Sequence, residues 1–206
     1  MNDLPTPDGP TRRQRILHAA FELFMQRGYA GTSTLAIASH ARVSKRDLYA
    51  EFAGKREIFA ACVNRRSAAM RAPLELAAPR NAAELATCLI TYGTGLRLGV
   101  SDPQVIATYR LIVQEAATAP ELAQTLHAEG RMAAFGAVCA LFTAAQAAGL
   151  LGPGVPELMA RHFLSLLIAD LILQHLLGLA PPETPELARA TAEMATAAIL
   201  KLFAPT

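Results

Sequence analysis

A short polar stretch near the N-terminus carries side chains suited to binding a nucleic acid. It contains Ser44, Lys45, Arg46 and Tyr49. A hydroxyl or a phenol can hydrogen-bond phosphate oxygens, and a lysine or an arginine can pair with phosphate or reach guanine O6 and N7 in the major groove. Leu48 and Phe52 are spaced at i and i+4 in the same stretch, which predicts a helix with these two side chains inward and the polar ones outward. The alternative is an ordinary solvated helix surface without a partner.

The residues around this stretch predict three short helices that would position it. The first, over residues 12–27, has apolar residues at the i, i+3, i+4, i+7 and i+8 positions of an amphipathic helix. Those residues are Ile16, Ala19, Ala20, Leu23 and Phe24. Ser33 is the expected N-cap of a second helix, and Ser44 with Asp47 predicts a capping box that begins the third. Two short helices separated by two or three residues cross steeply, which is typical of a helix-turn-helix.

The remainder of the chain predicts a larger body, so that the whole protein is expected to be all-α. After Gly54, a longer fourth helix is predicted from Ile58, Phe59 and Val63, and Pro73 and Pro79 bracket a break after it. Beyond it, we predict helices at about 82–99, 103–117, 120–149, 157–178 and 185–203. No strand-like alternation and no repeat occurs in the sequence. We therefore expect a flexible tail over residues 1–11, a helix-turn-helix head over 12–70 and a helical regulatory and dimerisation body over 71–206.

Composition and charge agree with a helical protein that meets a polyanion at one end. Hydrophobic residues make up 52% of the 206 residues, most of them Ala and Leu, and Trp is absent. Residues 1–66 hold 11 basic and 6 acidic residues, whereas residues 67–206 hold 8 and 11. A basic head on a mildly acidic body indicates a polyanion as a partner of the head, and the polar helix described above makes double-stranded DNA the expected polyanion. The alternative is chance segregation of surface charge.

Cysteine usage and the absence of a leader-like segment predict a cytoplasmic protein. The three cysteines are Cys62, Cys88 and Cys139, and they form no close pair. Such a set suits a reducing compartment, with the thiols acting as small core residues. Residues 1–11 are polar and proline-rich, unlike a signal peptide. The most apolar stretch, Phe163–Leu179, is short for a membrane span and contains Asp170, so we interpret it as a helix at a core or subunit contact.

The sequence contains no arrangement typical of an enzyme, a metal site or a cofactor site. Neither a nucleophile elbow nor a P-loop is present, and the five histidines lack metal-ligand spacing. Gly93, Gly95 and Gly99 do not match a dinucleotide fingerprint, because the third glycine falls one place late and no strand precedes them. Small residues for close helix packing are the preferred interpretation. We expect no catalytic residue, no metal and no cofactor.

The N-terminal residues resemble the DNA-binding head of TetR-family transcriptional regulators. The resemblance runs through the stretches Arg15–Ala20, Leu23–Phe24, Gly28–Tyr29, Thr32–Ser33, Ile37–Ala38, Val43–Ser44, Leu48–Tyr49 and Ile58–Phe59, with Ala41, Phe52 and Lys55. It covers about residues 12–63 in the family's order and spacing. A looser resemblance to one common TetR-family body lies in Tyr109–Ala116 and Pro120–Leu122.

This resemblance implies a role for each polar residue of the head. Ser33 and Thr34 would contact phosphate. Ser44, Lys45, Arg46 and Tyr49 would enter or flank the major groove. Lys55 would hold the DNA backbone. The expected function is sequence-specific transcriptional regulation, as a repressor that a ligand releases from a palindromic operator.

Two positions depart from the family pattern. Arg42 stands where the family usually has glycine, and a left-handed backbone there would cost about 1 kcal/mol relative to glycine. Glu51 stands where a phosphate-binding histidine is frequent. Because a carboxylate is repelled by phosphate, we expect Glu51 to point away from DNA or to tune specificity.

The body is expected to sense a small apolar ligand and to form a homodimer. Several polar residues interrupt its apolar helices, and buried polar groups need partners from the protein or from a ligand. Our candidate ligand contacts are Tyr92, Tyr109, Arg110 and Gln114. Dimerisation is predicted through the last two helices, 157–178 and 185–203. The alternative function is a helical protein-interaction module that does not bind DNA.

Overall fold

The computed structural model describes residues 10–75 and 78–205, and within these ranges the chain consists of helices joined by turns and loops, with no strand. The helices are α1 Arg12–Arg27, α2 Thr34–His40, α3 Lys45–Glu51, α4 Lys55–Arg71, α5 Ala82–Ser101, α6 Pro103–Glu115, α7 Pro120–Thr125, α8 Ala133–Ala147, α9 Pro156–Ile168, α10 Leu171–Leu177 and α11 Pro185–Leu202. A short 3₁₀ helix, Ala72–Glu75, occupies the start of the predicted break. The all-α prediction is confirmed. Most of the predicted flexible tail, residues 1–9, lies outside the described residues.

Local side-chain caps explain where several helices begin. Thr11 and Gln14 form a reciprocal capping box at α1, in which the Gln14 N–H donates to the Thr11 hydroxyl over 3.2 Å. Asn81 caps α5 and Thr184 caps α11 without a reciprocal bond, each side chain accepting from the backbone N–H three residues on. A cap satisfies a backbone N–H that the first turn leaves without a partner.

The chain divides into two compact units. The first unit comprises Met1–Asn64 and Leu111–Leu126. Its core joins the inward faces of α1–α4 to Leu111, Ile112, Ala119 and Leu122. The apolar residues predicted to face inward on α1, together with Leu48 and Phe52 on α3, are all buried there.

This division differs from the boundary predicted at residues 70 and 71. A stripe of apolar residues shows that a helix face is buried, but it does not show which of two cores receives it. Whether 12–70 and 71–206 act as the functional domains stays a prediction.

The second unit comprises Arg65–Arg110 and His127–Thr206, with a core built from α5, α8, α9 and α11. Gly93 is where α5 meets α11, because a Cβ atom added there would lie only 2.9 Å from the Ala192 Cβ. The close-packing interpretation is confirmed for Gly93, whereas it is wrong for Gly95, where an added Cβ would meet no atom within 4 Å. The Arg97 guanidinium donates to the Glu183 carboxylate over 2.7 Å, and this nearly buried pair ties α5 to the segment before α11.

Two helices predicted as continuous are interrupted. The predicted helix 120–149 is divided by a π-helical segment, Leu126–Met132. The predicted helix 157–178 breaks at Ala169, whose φ of 40° lies outside the helical region. The apolar pattern continues across both breaks, so its periodicity could not reveal them. By length and composition alone, Pro156–Leu177 could cross a membrane, and a single stretch of this kind is weak evidence for a span.

Arg42 adopts the left-handed conformation expected at a glycine position, with φ of 55°. It ends α2 in a Schellman-type turn, in which the Val43 N–H donates to the Ala38 carbonyl and the Arg42 N–H to the Ser39 carbonyl. Arg42→Gly is expected to raise the free energy of unfolding by about 1 kcal/mol, because glycine adopts this conformation without a Cβ penalty.

Chemical denaturation of Arg42→Gly beside Arg42→Ala measures this effect. The alanine variant removes the guanidinium but keeps the Cβ atom, so its stability should stay near that of the parent. Equal stability of the glycine and alanine variants would exclude backbone strain at this turn.

Candidate DNA-binding surface

α2 and α3 are each started by a serine cap, as predicted. The Ala36 N–H donates to the Ser33 hydroxyl over 3.1 Å, and the Asp47 N–H donates to the Ser44 hydroxyl over 3.0 Å. The Asp47 side chain closes the second cap differently from a standard capping box, because its carboxylate accepts from the Ser44 hydroxyl at 2.7 Å. Leu48 is wholly buried in the core of the first unit, and this contact fixes which side of α3 faces inward.

The outward side of α3 brings together most of the residues predicted to meet DNA. Ser44, Lys45 and Arg46 are exposed, and Tyr49 remains 45% exposed. The Tyr49 hydroxyl lies 3.0 Å from the Thr34 hydroxyl, which joins the start of α2 to α3. The Lys45 ammonium lies 5.9 Å from the centre of the Tyr49 ring. Arg46 makes no ion pair or hydrogen bond with the described residues, so its guanidinium is available to a ligand.

The two carboxylates of α3 are held by arginines of α1. Arg12 donates to Asp47 over 2.9 Å and to Glu51 over 3.2 Å, and the Arg13 guanidinium lies 3.8 Å from the other Glu51 oxygen. The hydrogen bond from Ser44, followed by the Arg12 charge, keeps the pKa of Asp47 below its usual value. The positive charges of Lys45 and Arg46 are therefore not neutralised by the carboxylates of α3, because these pair with α1. Glu51 points to α1. Sequence inspection missed this role of Arg12 and Arg13, since the partners are 35 or more residues apart.

Lys55 occupies a different setting from the other predicted contacts. Its ammonium donates to the Tyr29 carbonyl over 2.6 Å and lies 4.3 Å from the centre of the Tyr29 ring. Burial lowers the Lys55 pKa, and the charges of Glu115 and Glu121 act in the opposite direction. Lys55 thus helps to hold the first unit together, and its contact with the DNA backbone stays a prediction.

Two family models match most of the chain. Residues 16–62 match bacterial regulatory proteins of the tetR family, and residues 87–205 match the C-terminal domain of AefR-like transcriptional repressors. The chain belongs to the TetR family. It is therefore a DNA-binding transcriptional regulator of a family whose members are regulators and not enzymes.

Solved structures of TetR-family proteins resemble the whole chain. A TetR regulator from Agrobacterium tumefaciens is 26% identical, with a TM-score of 0.75 over 94% of this chain and 95% of its own. The flavonoid-responsive regulator FrrA is 29% identical, with a TM-score of 0.72 over 93% and 96% of the two chains. A Mesorhizobium loti regulator at 22% identity, with a TM-score of 0.73 over 93% and 96%, shares the fold. No match to a curated protein was found.

In this TetR-family chain, the four candidate ligand contacts lie in different settings. Tyr92 is wholly buried, and its hydroxyl has no hydrogen-bond partner among the described residues. Burial raises the pKa of Tyr92, and the Arg71 charge opposes this. Tyr109 is half-buried. Arg110 is exposed and donates to the His175 carbonyl over 3.1 Å near the end of α10, while Gln114 is exposed and belongs to the first unit.

Arg71 is a polar residue near Tyr92 that the sequence did not single out. It donates to the Ser67 hydroxyl and, over 3.5 Å, to the Glu129 carbonyl of the π-helical segment. Its position at the end of α4 looks like an ordinary charged helix terminus in the sequence. Only the folded chain shows that its charge acts on a phenol in the core of the second unit.

The last helices carry exposed apolar side chains. On α9–α11, these are Leu158, Leu166, Leu173, Leu177, Leu187, Met194 and Leu202. The opposite face of α11 packs inward through Ala188, Ala192, Ala195, Thr196 and Ile199. Phe203, where the chain leaves α11, is partly buried against the core of the second unit. Leu187, Met194 and Leu202 form the exposed apolar stripe of α11, and no element of the described chain covers it.

Proposed function

We propose that this regulator is a homodimeric repressor that binds a palindromic operator in the cytoplasm and leaves it when a small apolar ligand binds. The observation that carries the DNA part is the outward side of α3. Lys45 and Arg46 project from a capped helix whose carboxylates are already paired with α1. Such a face can supply positive charge to phosphates and a guanidinium to guanine.

The proposal gives each residue of this surface a role. Arg46 and Lys45 reach base edges or the adjacent phosphates, and Tyr49 bonds phosphate through its phenol. Ser33, Thr34 and Ser44 contact the DNA backbone through their hydroxyls. The two serine hydroxyls are already oriented by the helix caps, and the Thr34 hydroxyl is oriented by its contact with Tyr49. Orientation before binding lowers the entropy that complex formation would otherwise cost.

Dimerisation is supported by the exposed stripe of α11. Met194 is 60% exposed and Leu187 is 48% exposed, although a helix of this length gains stability by burying its apolar residues. In a dimer, α11 would pair with the same stripe of a second copy. The interrupted helix formed by α9 and α10 would join α11 on each side, which gives a four-helix contact. A twofold dimer presents two identical α3 helices, so the operator should repeat its half-site in inverted orientation.

The ligand part of the proposal rests on Tyr92. A buried hydroxyl without a partner costs about 1–3 kcal/mol, and a ligand atom that accepts a hydrogen bond from it would recover this cost. The surroundings are apolar and include Phe163, whose ring centre lies 6.4 Å from that of Tyr92. These features favour a small aromatic ligand with an oxygen acceptor. The flavonoid response named for FrrA belongs to the same chemical class.

Selection of bound DNA from a random pool, repeated at several salt concentrations, tests the proposed function. An inverted repeat whose affinity falls steeply with salt is expected, because phosphate contacts release counterions. Recovery of one asymmetric half-site as the full tight site would refute the dimeric mode. No salt-dependent DNA binding at all would favour the alternative, a helical protein-interaction module.

Tyr92→Phe is expected to have opposite effects on the free protein and on ligand response. Removing the unpartnered hydroxyl should raise the free energy of unfolding by up to about 1–3 kcal/mol. Release of DNA by a flavonoid such as naringenin should require higher concentrations, because the variant has no donor for the ligand's oxygen. Thermal unfolding and a DNA-release titration measure the two effects.

Tyr109→Phe is the matched control, because Tyr109 is a second tyrosine of the same unit and its hydroxyl is not among the buried atoms that lack partners. It should not gain stability. If Tyr92→Phe responds to ligand as the parent does, Tyr92 is not a ligand contact.

A further inference from the structure

Leu35 is a large apolar side chain that the first unit leaves in solvent. It is 64% exposed, whereas the neighbouring Ile37 is wholly buried. Among the described residues of this unit, the other exposed large hydrophobic side chains are Tyr49 and Val113. A single exposed leucine is common on protein surfaces, so its position on α2 decides whether it has a use.

Contacts on the two sides of α2 establish where Leu35 lies. The His40 ring nitrogen is 2.8 Å from a Glu22 carboxylate oxygen, which identifies the side of α2 that faces α1. Leu35 precedes His40 by five residues, or about 140° round the helix, so it lies on the side away from α1. The adjacent residue, Thr34, bonds the Tyr49 hydroxyl of α3. Leu35 is therefore one residue from the point at which α2 contacts Tyr49, one of the exposed polar side chains of α3.

The chemistry of this position suits one group of DNA. The thymine 5-methyl is the apolar group that the major groove presents, and contact with an apolar side chain is how proteins read it. We propose that Leu35 contacts a thymine methyl in each half-site and so helps to determine operator sequence. This inference rests on the proposed sequence-specific binding of DNA by α2 and α3.

Removal of single methyl groups from the selected operator tests the contact. Each thymine is replaced in turn by deoxyuridine, symmetrically in both half-sites, and affinity is measured for the full chain. At one thymine position the loss should be about fourfold per half-site, or about fifteenfold for both, as expected when one buried methyl is removed. The same replacement should have no further effect on Leu35→Ala, because that variant has already lost the contact.

Val113→Ala is the matched control, since Val113 has a similar exposure of 65% in the same unit but lies on a different helix. It should keep the full dependence on the thymine methyl. Circular dichroism and thermal unfolding verify that Leu35→Ala is folded, which its exposure predicts.

Two results would overturn the inference while the proposed function stands. One is tight binding of the selected operator with no position sensitive to deoxyuridine. The other is a methyl dependence that Leu35→Ala leaves unchanged, which would assign the methyl contact to another side chain. Failure to select any DNA would instead refute the proposed function itself.

Discussion

Replacing Met194 by glutamate is expected to convert the dimer into monomers and to abolish tight operator binding. Met194 lies 60% exposed at the middle of the apolar stripe of α11. In a twofold interface each protomer would bury one unpaired carboxylate, at a cost of about 2 kcal/mol or more per copy. Two copies give about 4 kcal/mol, or roughly 1,000-fold in the dimer dissociation constant. Analytical ultracentrifugation across micromolar concentrations measures this change.

Two variants show whether the effect belongs to the stripe. Met194→Leu keeps the apolar surface and should remain dimeric. Arg189→Glu introduces a carboxylate on the same helix about 140° round from Met194, at an exposed position, and should also remain dimeric. A dimeric Met194→Glu protein would place the interface elsewhere. A monomeric parent protein would contradict the proposed assembly as a whole.

Loss of the α3 cations is expected to have the second large effect. Arg46→Ala should weaken binding by about 1–3 kcal/mol per half-site and relax the base preference at one operator position. Its guanidinium is exposed and makes no contact with the described residues, so its removal should leave stability nearly unchanged. Lys45→Ala should act similarly if it reaches a base. Binding to a panel of single-base operator variants, with thermal unfolding alongside, separates these effects.

Lys55→Ala provides the contrast. A backbone contact should weaken all operator variants alike and reduce the salt dependence of binding by about one unit of slope per half-site. Its bond to the Tyr29 carbonyl predicts in addition a lower melting temperature, which the α3 variants should not show. If none of the three substitutions changes DNA affinity, the proposed surface is wrong.

Ligand control of this regulator would need a difference in ligand affinity between two arrangements of the protein. A ligand releases DNA only when its affinity is higher for the arrangement that cannot hold the operator than for the arrangement that can. The expected coupling is about 1–3 kcal/mol, or roughly 5–150-fold in affinity, and DNA must weaken ligand binding by the same factor. A compound that binds equally with and without operator would therefore occupy a site without a regulatory role.

The sequence by itself determined the features that arise within one or two helical turns. Ser33 and Ser44 mark the starts of α2 and α3, because a capping side chain acts on the backbone next to it. The inward faces of α1 and α3 followed from residue spacing, and so did the outward placement of Lys45 and Arg46. The left-handed position of Arg42 was indicated instead by the resemblance to the family, which usually has glycine there.

The tertiary structure decided which distant groups meet. It assigned Leu111–Leu126 to the first unit, directed Asp47 and Glu51 to Arg12, and bonded Lys55 to the Tyr29 carbonyl. It also left Leu35 exposed and the Tyr92 hydroxyl without a partner. Amphipathic spacing predicts that a helix face is buried, but it does not predict which element covers that face. Charged side chains pair only with groups that the folded backbone brings within a few ångströms.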